Sequence, residues 1–525
     1  MSAATAAPSD GEKASLTTWL ALCGCMLGAL MAVLNIQITN ASLPDIEGGI
    51  GTGMDNGTWV STAYLIGEII VIPLTDYLSR VFSFRRFLMV NTALFLVFSA
   101  ACAFAHDLSQ MIVLRGFQGF CGGVMIPMAF TYALTNLPKS QQPIGIAVFA
   151  TTATFAPAIG PTIGGYLTET YGWPTIFFVN MVPGGIMLAI LFFTLEKAPM
   201  RLALLKEGDW LGIACMAIGL ACLQTVLEEG NLHDWFGSPM IVRLALASAV
   251  FLALFVAIEL NSSHPAVRLR LLARRNFGFG TFANVLVGFA LYGSVYVLPQ
   301  YLALAQGYNA EEIGEVLAWV GLPQLLIIPF VPLLVGRFDS RAIVIVGLTI
   351  FAASCFMNVH MDLDYSGPQF FWPNIVRAVG QAIVLTPLTG IAMLGIARED
   401  AAAASGIFNM LRNLGGAVGT AALGTVITKR EQFHSNIIGQ SVTEYGVTVR
   451  ETLAAMQRYL MAHGTPDAAK AAHEAIVALG DRVAAQALVM AFSDTFYVLG
   501  VVMLVAALSV LLTRGGGPAP GTPAH

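Results

Sequence analysis

The chain has 525 residues, 56% of them hydrophobic and only 11% charged, and its mean hydropathy of +0.73 lies far outside the range of soluble globular domains. A net charge of −5 spread along the whole length builds no basic face, which excludes a nucleic-acid partner. All seven Cys fall in apolar runs, and Cys23-x-Cys25 has neither metal spacing nor neighbouring His, so they read as packing side chains and no metal site is expected.

In chain order, a polar tail (1–16) leads into apolar runs of about 18–25 residues, each long enough to cross a ~30 Å hydrocarbon core. The first run has no small-residue cleavage site and ends in NIQITN, so it reads as a retained span rather than a signal peptide. About fourteen spans are expected, near 17–38, 57–75, 87–105, 110–134, 143–167, 174–195, 209–227, 240–260, 277–304, 312–335, 342–360, 370–395, 401–427 and 495–513. Charge placement supports the count. With the N-terminus in the cytoplasm, the inner segments collect Lys13, Arg80, Arg85, Arg86, Lys139, Arg201, Arg268, Arg274, Arg341 and Arg514 among others. The short outer loops carry no Lys or Arg but hold Glu169, Glu228, Glu229, Asp234, Glu311, Glu312, Asp362 and Asp364. That is a strong positive-inside pattern, with both termini cytoplasmic.

A repeat appears at an offset of roughly 255–262 residues: RGFQG (115–119) returns as RAVGQ (377–381), and the basic loop at Arg80–Arg86 returns as GRFDSR (336–341). The predicted architecture is therefore all-α. An N-terminal six-helix bundle (17–200) and a C-terminal one (266–513) are related by a pseudo-two-fold axis, with two inserted helices (201–265) between them. The inserted pair is joined by an acidic outer loop, LEEGNLHDWFGSP (227–239), whose Trp suits the interface. Residues 429–494 read as an extracytoplasmic helical loop with Ala-rich helices near 447–463 and 466–492, and 514–525 as a disordered tail.

Span 5 contains APAIGPTIGGYL (156–167), in which Pro157 and Pro161 lie beside a Gly160-xxx-Gly164 face, with Gly165 adjoining. A Pro costs about 3 kcal/mol and a Gly about 1 in a soluble helix, but in a membrane small residues let backbones approach closely. The expectation is a bent seam between two bundles that rock, with RNLGGAVGTA (412–421; Gly415, Gly416, Gly419) as its repeat partner.

An ionisable group in mid-membrane costs about 2.5–3.5 kcal/mol, which makes each one a functional candidate. Arg115, with Gln118 one turn on, suits a permanent cation that holds or releases a carboxylate; the alternative is a structural Arg bonded to backbone carbonyls. Glu68, the one carboxylate well inside the first six spans, is the candidate proton carrier, or else a Glu bonded to a neighbouring helix. Arg377, Gln381, Asn409, Arg412 and Asn413 form the polar inventory of the second half, for substrate or for interhelical bonding. Gln37, Trp59, Tyr64, Tyr292, Tyr296 and Trp319 are candidates to line a cavity for amphipathic compounds, or else core and interfacial side chains. Asp76, Arg80, Arg85 and Arg86 form a possible cytoplasmic latch, or act in topology alone.

Taken together, GTWVSTAYL (57–65), IPLTDYLSR (72–80), RGFQG, APAIGPTIGGYL, WPTIFFVNMVPGG (173–185), RRNFGFGT (274–281) and SGIFNMLRNLGGAVGTA (405–421) resemble the major facilitator superfamily. Within it they resemble the fourteen-span drug:proton antiporters of the EmrB/QacA type, over nearly the whole chain. The resemblance implies inner-membrane export of amphipathic toxicants driven by the proton gradient, with no cofactor. It also implies, in Gram-negative cells, a possible periplasmic adaptor and outer-membrane channel. The family usually has Asp in span 1 within LDxTIxNxxLP; here LNIQITNASLP (34–44) puts Asn35 at the acidic position while Asn40 and Pro44 match. The expected consequence is that the titratable carboxylate has moved to Glu68, within reach of Arg115. A facilitator or importer of the same fold is the rival reading. A membrane-embedded enzyme would need a nucleophile–base or metal grouping, and the eight scattered His show none.

Overall fold

The structure is a computed structural model that describes residues 14–52, 57–138, 140–262, 265–443, 445–465 and 467–514, without the side chains of Ala150, Ala153, Thr154, Pro157, Ala158, Glu207, Ala310 and Arg398. The predicted tails, apart from Ala14–Leu16 and Arg514, lie outside the described residues, as do Lys139 and the side chain of Pro157. Among the described residues all regular structure is helical.

Among the described residues ten helices are long and apolar enough to cross a membrane: α1 (Leu16–Ala41), α3 (Phe84–Cys102), α4 (Leu108–Asn136), α6 (Thr175–Thr194), α7 (Trp210–Glu229), α8 (Pro239–Asn261), α9 (Arg275–Gln306), α10 (Glu311–Arg337), α12 (Gly367–Met393) and α14 (Ala468–Leu511). Four more helices occupy the remaining predicted spans: α2 (Trp59–Phe82), α5 (Gln142–Tyr171), α11 (Ser340–Phe356) and α13 (Ala401–Ser441). The helix starts follow side-chain chemistry. Ser15, Asp107, Asp209, Asp339 and Asp467 each accept a backbone N–H of the first turn, and Asn309 with Glu312 closes a capping box. Helix α10 tightens to a 3-10 turn at Ile328–Phe330, and three others are interrupted: α4 at Val124, α6 at Val179–Asn180 and α12 at Ile383–Val384. Each break lies three or four residues before a proline (Pro127, Pro183, Pro387), where the missing N–H and the ring's clash with the carbonyl four residues back disrupt the ladder. Helix α5, by contrast, runs unbroken through Pro157 and Pro161.

Loop contacts gather the basic segments at one end of the helices: Arg201 N donates to Val81 O, Arg275 Nε to Leu512 O, and Arg341 to Leu511 O. The acidic connections lie at the other end, where Ser42 Oγ meets Gly164 O and Gly367 N meets the Tyr308 hydroxyl. The stretch after residue 429 is helical as expected, but it is built differently. Helix α13 runs on to Ser441, Val447–Ala462 forms a separate helix, and α14 is continuous from Ala468 into the last apolar run.

The glycine faces act inside each half rather than between them. A Cβ at Gly164 would sit 2.9 Å from Ile38 O, and one at Gly160 would clash with Gln37, so α5 is seated on α1. Gly415 and Gly419 press on the backbones of Val285 and Phe289, seating α13 on α9. This repeats the arrangement in the second half and corrects the placement of the seam. The halves meet mainly along two other pairs, with α13 also touching the second part of α4 and α12 touching α5. Helix α2 packs on α13, with Gly406 against Ile72 O, and α5 packs on α10, with Thr162 against Gly314. The inserted hairpin α7–α8 adds Cys215, Met216, Leu220 and Phe255 to an apolar core shared with Ile69, Ile72 and Leu74 of α2 and with the second half. Gly164→Ala should therefore lower thermal stability in detergent by about 1–3 kcal/mol through overpacking. Gly390→Ala, where a Cβ meets nothing within 4 Å, should be neutral or stabilising.

Candidate functional site

Helix α4 brings Arg115 into the middle of the first half, where it is wholly buried. Its Nε donates to Val60 O (3.1 Å), and its Nη1 donates to Asn35 Oδ1 and to Gln118 Oε1 (both 2.7 Å). The guanidinium carbon lies 4.4 Å from the ring centre of Tyr64 and 5.8 Å from that of Phe177. Tyr64 is itself buried, its hydroxyl donating to Ala32 O, so it belongs to the core beneath Arg115 and not to a cavity wall. Among the described residues Arg115 makes no ion pair. Neutral acceptors take the place of a counter-ion.

Glu68 faces the other way. It lies on α2 at the interface with α13, nearly fully buried, and its Oε1 accepts from Asn413 Nδ2 at 3.2 Å. Asn413 Oδ1 in turn accepts from the hydroxyl of Tyr292 on α9 (3.3 Å). The second carboxylate oxygen has no partner. Glu68 is thus bonded to the second half, not to Arg115.

The second half repeats the buried arginine with less satisfaction. Arg377 lies 5.9 Å from the Phe351 ring, and its Nε has no partner. Gln324 Nε2 donates to Gln381 Oε1 at 2.6 Å, which leaves Gln324 Oε1 and Gln381 Nε2 unpaired. Arg412 donates to Asn409 Oδ1 (2.8 Å) and lies over Phe149 of α5, so it touches both halves. Of the remaining cavity candidates, Gln37, Trp59, Tyr292 and Tyr296 are half-buried, while Trp319 is 45% exposed on the bundle's outside, stacked edge-on to Phe371.

At the basic end Asp76 accepts from Arg80 within one helix, and Arg85 donates to Phe192 O inside the first half. Arg86 is exposed. The contact between separate segments comes from Arg268 and Arg274, which meet Asp400 at the start of α13 beside a cavity of about 510 Å³. Sequence reasoning counted these arginines only as positive charge; nothing in the pattern paired them with Asp400.

Two helical halves, each built on a buried arginine without a counter-ion and joined by an interfacial carboxylate, define a polytopic membrane transporter. The Major Facilitator Superfamily profile matches residues 25–420. The chain is 32% identical over 500 residues to the colistin resistance protein EmrB of Acinetobacter baumannii, covering 95% of this chain and 97% of that one. It is 30% identical over 453 residues to the fatty acid resistance protein FarB of Neisseria gonorrhoeae (86% and 89% covered). It is also 30% identical over 424 residues to the multidrug export protein EmrB of Escherichia coli (80% and 82% covered). The fold is shared with the human organic anion transporter MFSD10 (TM-score 0.58, 13% identity, 93% and 99% covered). It is shared too with the proton:xylose symporter XylE (0.56, 14%, 94% of each). The chain belongs to the major facilitator superfamily, in its EmrB-type group. It is a multi-pass transporter of the inner membrane and not an enzyme.

Replacing Arg115 with Met should leave Asn35 Oδ1, Gln118 Oε1 and Val60 O without their donor, at about 1–3 kcal/mol each. A fall in melting temperature and in monodisperse yield is the expected outcome, and Arg115→Lys, which lacks the fork, should recover it only in part.

Proposed function

We propose that this chain exports amphipathic, aromatic-bearing small molecules from the cytoplasm by alternating access of its two halves, in exchange for protons and with no resident cofactor. In this reading all fourteen long helices cross the membrane, and the basic end, with both termini, lies in the cytoplasm. The observation that carries the coupling is Glu68. It is a buried carboxylate on the surface where the halves meet, with one oxygen held by Asn413 of the opposite half and the other free to take a proton. Protonation alters a bond that spans the two halves, so charge and conformation are linked at one residue. The names of the relatives, which speak of multidrug export, fatty acid resistance and colistin resistance, support amphipathic cargo. The projecting ends of α13 and α14 with the Val447–Ala462 helix expose Tyr445, Tyr459, Ile476 and Val477, a surface suited to a periplasmic adaptor leading to an outer-membrane channel.

The test is transport in proteoliposomes with an imposed pH gradient, using ethidium and a medium-chain fatty acid as probes. Glu68→Gln should remove gradient-driven transport while leaving the melting temperature near that of the wild type. Asn35→Asp in the Glu68→Gln background should restore part of it, because the new carboxylate stands where Oδ1 already meets Arg115 at 2.7 Å. Undiminished gradient-driven transport in Glu68→Gln would contradict Glu68 as the proton carrier, and wild-type transport indifferent to the gradient would favour the uncoupled facilitator.

A further inference from the structure

The turn of the inserted hairpin makes side-chain bonds to both halves at the acidic end of the molecule. Glu229, the last residue of α7, is wholly buried. Its Oε1 accepts from the hydroxyls of Thr58 (3.0 Å) and Thr62 (3.3 Å) at the start of α2, in the first half. A few residues on, Asn231 Nδ2 donates to Thr428 Oγ1 (3.2 Å) and the indole N–H of Trp235 donates to Thr425 Oγ1 (3.0 Å), both on α13 of the second half. Asp234 adds an exposed contact to Lys429 at 3.4 Å. Helices α2 and α13 are one of the pairs along which the halves meet, so the hairpin straddles that part of the interface.

Two features show that this arrangement is held at a cost. Asp234 and Trp235 both have left-handed backbones (φ 52° and 50°), a conformation that an aromatic residue adopts only when its surroundings over-determine it. What they secure is the reach of Trp235 to Thr425. The second feature is Glu229 Oε2, a fully buried carboxylate oxygen with no hydrogen bond, 3.8 Å from Nε2 of the partly exposed His233. A buried polar atom left unpaired is expensive. Both features lie where the two halves are joined.

We propose that the α7–α8 turn is the latch of the outer gate, and that Glu229 is a positioning residue for transport which holds the outward-closed state through charge-assisted bonds to Thr58 and Thr62. Trp235 and Asn231 anchor the other side. Outward opening separates the starts of α2 and the 425–428 segment of α13, and it must break one of these two sets. The proposal uses the membrane orientation and alternating access of the reading above, but not proton coupling.

Double electron–electron resonance on the full chain tests it, with nitroxides at His106→Cys and Leu363→Cys, exposed acidic-end positions in opposite halves, and with the lipid-exposed Cys23 changed to Ser. The wild type should be mostly in the short-distance state. Glu229→Ala should raise the ratio of long- to short-distance populations on the order of tenfold, and Glu229→Gln by less, since the amide oxygen still accepts. Thr58→Val with Thr62→Val, which leaves the carboxylate in place, and Trp235→Phe, which keeps the ring but removes the N–H, should shift the populations the same way. A latch variant that opens in this way but transports without regard to the pH gradient would uphold the latch while removing the antiport reading. Wild-type distance distributions in the threonine pair or in Trp235→Phe would overturn the proposal.

Discussion

A guanidinium that cannot lose its charge sits wholly inside the first half with no carboxylate against it, and much of the site follows from how that charge is satisfied. Burying a cation in hydrocarbon is tolerable only if its donors are occupied. For Arg115 the occupants are neutral: a backbone carbonyl of α2, an amide of α1 and an amide one turn along α4, with aromatic faces above. This network ties three helices to one side chain, and it makes that corner of the first half rigid. Because Asn35 accepts without titrating, the network can hold its form whatever the proton gradient does.

In the proposed reading the titrating group is thereby separated from the permanent charge. Glu68 and Tyr64 lie one turn apart on α2, but Tyr64 supports Arg115 from within the half, whereas Glu68 reaches across to Asn413. One helix therefore carries the packing on one face and the proposed coupling on another. The glycine contacts complete the division of labour. They seat α5 on α1 and α13 on α9 inside each half, while the surfaces between the halves pair α2 with α13 and α5 with α10, where Thr162 lies close against Gly314. Helices seated this closely inside each half suit the rigid-body rocking of the proposed reading.

The membrane class and the all-helical build were legible in the sequence, because hydrophobic length is a property of local composition. Breaks in α4, α6 and α12 were legible in principle from Pro127, Pro183 and Pro387, though a hydropathy profile passes over them. The glycine face at Gly160 and Gly164 was visible, but small residues say only that something comes close, not which helix. Its partner proved to be α1 rather than the opposite half. The bond between Glu68 and Asn413 joins residues 345 positions apart, and no spacing rule reaches that far. Glu229 looked like one more acid in an outer loop; only its burial and its two threonine donors distinguish it.

The central claim is that Glu68, not a group bound to Arg115, is the carboxyl that gains and loses a proton within the buried interface. Infrared difference spectroscopy of the purified chain, taken between acid and neutral pH in lipid, reads protonated buried carboxyls directly and needs no knowledge of the cargo. The account predicts a carboxyl carbonyl band present in the wild type and in Arg115→Lys, and missing from Glu68→Gln alone among single-carboxylate variants of the interface. An unchanged band in Glu68→Gln would contradict it.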